Sequence, residues 1–203
     1  MGKFRKFRQS SLSAEEHHDG HHRFEHWYRD RQVYFITARC RDRFPAFKTE
    51  EAKAIFWDRF NYYTSRFGFV PWVTTVLHNH YHTIGYLEDG ENLGPMMRHI
   101  HGSVAKLVND LLPARLKPFW YDSGKKGYFD GCLRDVLQGV RTYQYTLRQA
   151  VRHGIVRDHR FYPHTRVKVE MDVAIKRAVE LNAFMEEVPY ARYERHRLKR
   201  DAL

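Results

Sequence analysis

The sequence predicts an α+β fold: a ferredoxin-like sandwich of order β-α-β-β-α-β-α, its antiparallel sheet carrying helices on one face, with extensions at both termini. Three observations predict it. Short β-branched and aromatic runs alternate with long stretches of helical periodicity. The second and third runs are joined by a link of only a few residues, which favours an antiparallel pair. Apolar residues make up 42% of the 203-residue chain, enough for a real core in one domain.

The elements follow in order. Residues 1–30 form a basic, His-rich arm with HHDGHH at 17–22. His17, His18, His21 and His22 read as a solvated polar run, with metal binding as the alternative. Residues 33–40 (VYFITARC) are a strand by composition and partial alternation. A turn with Pro45 leads to Thr49, which starts a helix with Glu50 and Glu51 in its first turn, where the dipole favours acids. Gly68 stops it.

Residues 70–77 (VPWVTTVL) and 82–87 (HTIGYL) are the second and third strands, joined by the short link HNHY. After the turn Glu88-Asp89-Gly90 a helix runs from about Asn92 to Pro113. Its apolar stripe is Met97, Ile100, Val104, Leu107, Val108 and Leu111. Residues 128–133 are the fourth strand. Asp135 caps the next helix, which runs to His153 and ends at Gly154. Residues 155–168 read as irregular and 169–187 as helical, followed by a basic tail at 190–200. The expected organisation is an arm (1–30), a core domain (31–165) and a helical, basic extension (166–203).

Charge points to the partner. The formal net charge is +11 and aromatics are 15% of the chain. A basic, aromatic surface suits single-stranded nucleic acid, where bases stack on rings and phosphates meet Lys and Arg. No stretch approaches the length of a membrane span, so no membrane partner is expected. The N-terminus lacks the apolar segment of a secretory signal. Cys40 and Cys132 make neither a disulfide framework nor a zinc motif and read as small core residues in a reducing cytoplasm.

Two constellations carry chemistry. In His80-Tyr81-His82, strand alternation puts both histidines on one face and Tyr81 on the other. Two neutral imidazoles a few ångströms apart are ready ligands for a divalent metal, although a half-exposed histidine pair fits the same pattern. On the helix after the fourth strand, Val136, Val140, Tyr143, Leu147 and Val151 form the buried stripe. Tyr145 lies about 200° around the helix from Tyr143 and so leaves that stripe. Arg141, Tyr145, Gln149 and Arg152 share a second face. A phenolate can attack a DNA phosphorus and hold the strand covalently. With a phenol pKa near 10 it needs activation, which a metal on the scissile phosphate supplies. Gln149 would be a third ligand one turn beyond the nucleophile, and Arg141 and Arg152 would hold flanking phosphates. No Walker-type glycine loop is present.

The segments VYFITARCRDRFPAF, VLHNHYHTIGYLEDGENLGPMMRHIHGSVAKLVN, GYFDGCLRD and VRTYQYTLRQAVRHGIVRDHRFYP together resemble the single-tyrosine HUH transposases, and most closely the REP-associated tyrosine transposases of bacteria. By position, the resemblance makes His80 and His82 metal-binding histidines, Tyr145 the nucleophile and Gln149 the polar third ligand. It implies magnesium or manganese, a ferredoxin-like nuclease fold, hairpin DNA as substrate, a monomer or homodimer, and a bacterial cytoplasmic setting. Three features depart from the family pattern. Tyr81 is polar-tipped where a hydrophobic residue is usual, the usual Asn-Pro of the tyrosine helix is Gln149-Ala150, and the termini are longer. The competing expectation is an inactive descendant that binds single strands without cutting them. Other residues read as secondary: Tyr143 as the alternative nucleophile, His78 as a turn-side polar residue, His99 and His101 as surface, Trp72 and Trp120 as core.

Overall fold

The computed structural model describes residues 29–121 and 127–185. The His-rich run at 17–22 and the basic tail at 190–200 lie outside the described residues. Five strands form one antiparallel sheet: β1 (Gln32–Arg39), β2 (Phe69–Val76), β3 (His80–Leu87), β4 (Phe129–Cys132) and β5 (Thr165–Val167). Their order is β4-β1-β3-β2-β5. The helices are α1 (Glu50–Arg66), α2 (Leu93–Asn109), α3 (Val136–Leu147), α4 (Gln149–Arg152) and α5 (Met171–Glu180).

Local signals explain the boundaries. Thr49 caps α1, its hydroxyl accepting from the Ala52 N–H at 3.2 Å, and Gly68 leaves the helix at φ +73°. Asp135 caps α3 by accepting from the Gln138 N–H at 2.7 Å. Gly154 ends the α3–α4 segment at φ +67°, as the sequence predicts.

Strand alternation sorts the core into two layers. Tyr34, Ile36 and Ala38 of β1 and Tyr81 and Leu87 of β3 pack with Phe56, Phe60, Met97, Ile100 and Val104 of α1 and α2. Val33 and Ile84 point the other way and pack with Val136, Tyr143, Ala174 and Ile175 of α3 and α5. The α+β sandwich is therefore as predicted, but helices cover both faces: α1 and α2 one, α3 and α5 the other.

Several boundaries differ from expectation. β3 begins at His80, so both histidines lie within the strand. The tyrosine helix is not continuous to His153: it breaks at Arg148 (φ −93°, ψ 9°) and restarts as α4. The stretch expected to be irregular contains β5, which pairs with β2 (Thr75 with Thr165, Val73 with Val167). The last helix spans ten residues, and Ala174, Ile175 and Ala178 bury in the same core as α3. Leu107 on α2 and Leu111 just past its end are exposed, while His101 of α2, expected on the surface, is buried. His101 sits four residues after Met97 and three before Val104, so it lies on the stripe itself.

Cys40 is buried and Cys132 half-buried, both as free thiols. No helix among the described residues is long and apolar enough to cross a membrane.

Candidate active site

β3 supplies the first half of the site. His80 and His82 share the face that meets α3, with ring centroids 5.1 Å apart. Tyr81 points into the opposite layer and is fully buried. Its hydroxyl is hydrogen-bonded to His101 Nε2 at 2.9 Å, so a polar-tipped residue sits in the core without an unpaired group. On neighbouring β1, Phe35 stacks on His82 at 5.7 Å with the rings nearly parallel. Burial is the main cause that pushes His82 down to about 3, with charge at His80 and His153 adding to it. Burial, then His153 and Arg39, pushes His80 down to about 4. Both imidazoles are therefore neutral at pH 7, the form that ligates metals.

α3 supplies the second half. Tyr145 is 39% exposed, and its ring stands edge-on to His82 at 5.3 Å and to Phe35 at 6.1 Å. Tyr143, two residues earlier, is 2% exposed and donates its hydroxyl proton to the Val169 carbonyl at 2.9 Å. The helix is pinned from below as well: the Thr75 hydroxyl on β2 donates to the Thr146 carbonyl at 2.8 Å. Tyr143 is thus a packing residue, and Tyr145 is the tyrosine presented to the histidine pair.

The break at Arg148 seats Gln149. It is buried, and its Nε2 donates to the Tyr145 carbonyl at 3.0 Å, which leaves Oε1 as the side-chain atom for a ligand. The Arg152 guanidinium lies over the Tyr145 ring, 5.1 Å from its centroid. Arg141 is exposed on α3, and among the described residues no ion pair or ring contact joins it to this group. His78 is exposed before β3 begins, as expected of a turn-side residue, and His99 is likewise exposed.

Two features fit a divalent metal at the histidine pair. His82 Nδ1 is buried without a hydrogen-bond partner, a state that costs about 1–3 kcal/mol unless something binds there. His80 Nδ1 contacts Asn79 Oδ1 at 2.6 Å. That oxygen only accepts, so Nδ1 carries the proton and Nε2 keeps the lone pair, the usual orientation of a ligating histidine. The donor set is two imidazoles and an amide. Among the described residues no group of three His, Cys, Asp or Glu side chains is placed to hold a metal.

Comparison with known proteins was informative only through structure. No family model matches the sequence, and no curated protein matches it. A solved structure of a REP-associated tyrosine transposase bound to a REP hairpin superimposes with a TM-score of 0.58 over 70% of this chain and 80% of that one. The chain shares the fold of that transposase. At 17% identity the likeness concerns the fold.

Within this transposase-like fold, three residues at the site escape a reading by sequence. His153 has its ring 5.0 Å from that of His80. It follows Gln149 by four residues, as Gln149 follows Tyr145, and that spacing was the available signal. Phe35 is visible only as a strand residue, and Asn79 only as part of a link. A separate cleft of about 530 Å³, lined by Leu147, Arg160, Glu170 and Met171 among others, includes none of His80, His82, Tyr145 or Gln149.

Proposed function

We propose that this chain is a metal-dependent single-stranded DNA endonuclease and strand transferase that works through a covalent 5′-phosphotyrosine on hairpin or repeat DNA. One observation carries the reading: the exposed Tyr145 ring and the buried, neutral His82 are 5.3 Å apart while Tyr143 is locked away. The solved structure of similar fold is a REP-associated tyrosine transposase bound to a REP hairpin, and the net charge of +11 suits such a ligand.

In this reading Tyr145 Oη forms a bond to the scissile phosphorus as the P–O3′ bond breaks. The phenol proton passes to solvent, and the departing 3′ oxygen takes one up as a free 3′-OH. Return attack by a 3′-OH on the phosphotyrosine reverses the bond changes and rejoins strands, so no nucleotide hydrolysis is required. His80, His82 and Gln149 would hold Mg²⁺ or Mn²⁺, which when bound draws charge from the scissile phosphate and orients it for in-line attack. Arg152, lying over the Tyr145 ring, holds the phenol in place and stabilises negative charge forming at its oxygen. Arg141 meets backbone phosphate farther along the strand. Because tyrosine and histidines meet within one chain, the geometry supports attack by the chain's own tyrosine.

The test is a covalent adduct on a denaturing gel. Hairpin oligonucleotides from the repeats beside the gene, labelled at either end, are incubated with the protein and manganese or EDTA. The wild type and Tyr143→Phe form a metal-dependent adduct and Tyr145→Phe forms none. Tyr143→Phe loses about 0.5–1.5 kcal/mol of stability with its bond to Val169. An adduct that survives in Tyr145→Phe overturns the assignment. Tight binding without any adduct assigns the chain to single-strand binding instead.

A further inference from the structure

Beside the histidine pair, β1 carries a feature that cleavage chemistry does not use. Arg39 is directly opposite His80 in the β1–β3 register, as Thr37 is opposite His82. Cross-strand partners share a face, so Arg39 lies on the site's side of the sheet. Arg39 is exposed, and among the described residues its guanidinium has no carboxylate or hydrogen-bond partner. Instead it lies over the ring of Tyr121, 4.0 Å from the centroid.

Tyr121 is held there by its backbone while its side chain stays open. Its N–H donates to the Arg39 carbonyl at 2.8 Å, and the preceding Trp120 bridges Cys40. Trp120 is buried, stacked on His101 at 4.2 Å, and donates its indole N–H to the His101 carbonyl at 3.1 Å. Tyr121 is nevertheless 41% exposed. From Phe35, which touches both His82 and Tyr145, to Arg39 the strand advances about 13 Å. The pair thus stands beside the point of attack, within reach of a neighbouring nucleotide.

An exposed ring with a guanidinium over its face supplies both parts of a single-strand contact: a stacking surface and a fork of phosphate donors. We propose that Arg39 and Tyr121 form a nucleotide subsite next to the cleavage centre, Tyr121 stacking on the base of a nucleotide flanking the scissile phosphate and Arg39 meeting its backbone phosphate. This rests on the strand-transferase reading and adds a determinant of where the strand is seated.

The experiment uses the full chain and a fluorescein-labelled hairpin oligonucleotide with single-stranded flanks, each flanking nucleotide replaced in turn by an abasic unit. Binding is followed by anisotropy and adduct formation by gel. In the wild type one abasic position weakens binding on the order of 5- to 150-fold, the worth of one stacked base. In Tyr121→Ala the intact oligonucleotide binds that much more weakly and the same abasic unit costs less than about two-fold more. Tyr121→Trp restores the position-specific loss, which a merely structural role for Tyr121 does not predict. Arg39→Gln lowers the slope of log affinity against log salt by about 0.7, one phosphate contact on a single strand. An abasic profile in Tyr121→Ala that matches the wild type, or an unchanged salt slope in Arg39→Gln, overturns the subsite. Failure of the transferase reading is seen separately, as the absence of an adduct in the wild type itself.

Discussion

Tyr143 and Tyr145 stand two residues apart on α3, and burial separates their chemistry. Tyr143 spends its hydroxyl on the Val169 carbonyl, whereas Tyr145 keeps 39% of its surface open beside His82. That division was legible in the sequence, because helical phase puts one phenol on the apolar stripe and the other off it. His80 and His82 were legible for the same kind of reason, strand alternation. Their supports were not, because each comes from another stretch of chain or from a link with no periodicity. Asn79 is the instructive case. It touches His80 Nδ1 at 2.6 Å and donates its Nδ2 to the Arg43 carbonyl at 2.9 Å, so it ties the histidine to a fixed turn. Outer partners of this kind change metal affinity about 10- to 100-fold. Under the proposed metal-dependent reading, Asn79→Ala is therefore expected to weaken Mn²⁺ binding by that factor while His80 and His82 remain in place. Calorimetric titration of the full chain checks it, and an unchanged affinity removes Asn79 from the site.

Whole elements were legible where a cap, a stop and a periodicity agreed, as in α1 between Thr49 and Gly68. β5 is only three residues long and lacks that agreement. It forms because the open edge of β2 accepts a partner, which is a property of the sheet rather than of the segment. The break at Arg148 carries no Gly or Pro either. One part of its setting is tertiary, the Thr75 hydroxyl on β2 donating to the Thr146 carbonyl, and one is local, the Gln149 amide donating to the Tyr145 carbonyl four residues back. How α3 is seated also depends on a position where local preference and packing conflict. Gly139 lies inside the helix, where alanine is favoured by about 1 kcal/mol. A Cβ there would come within 2.9 Å of Ile175 Cδ1 and 3.1 Å of the Phe184 ring. Overpacking of this kind costs about 1–3 kcal/mol, which offsets or exceeds what propensity returns. Gly139→Ala is thus expected to bring no gain and to lower stability by up to about 2 kcal/mol in urea denaturation. Adding Ile175→Val, which removes the clashing methyl, should leave the double variant less destabilised than the two single changes summed. Strict additivity would mean that α5 does not press on Gly139.

At the scale of the molecule, burial pattern determined the architecture and residue identity did not. The fold superimposes on a transposase at 17% identity, while no family model or curated protein matches the sequence. The sandwich follows from which positions are apolar. What sequence reading missed is that the second face is also covered, because the residues that cover it come from short or interrupted segments. Closing both faces also encloses titratable groups, and their burial is expected to limit the fold in acid. His101 is the clearest of them outside the site, buried against Trp120 and bonded to Tyr81, and burial pushes it down to about 3. In the unfolded chain a histidine titrates near 6.5. Below that pH the unfolded chain takes up a proton that the folded chain refuses until about pH 3. The stability is therefore complete above pH 6.5 and falls as the pH drops toward 3. Two pH units below 6.5 the loss from His101 alone is about 3 kcal/mol. Glutamine at this position keeps a hydrogen-bonding partner for the Tyr81 hydroxyl but has nothing to titrate. His101→Gln is expected to be somewhat less stable than the wild type at pH 7.5, through its lost ring stacking, and to lose less stability between pH 6.5 and 4.5. A residual slope remains from His80 and His82, which burial also depresses. Urea midpoints at pH 7.5, 6.5, 5.5 and 4.5 measure both effects. A variant curve parallel to the wild type across that range would show that His101 is not the group whose burial limits the fold in acid.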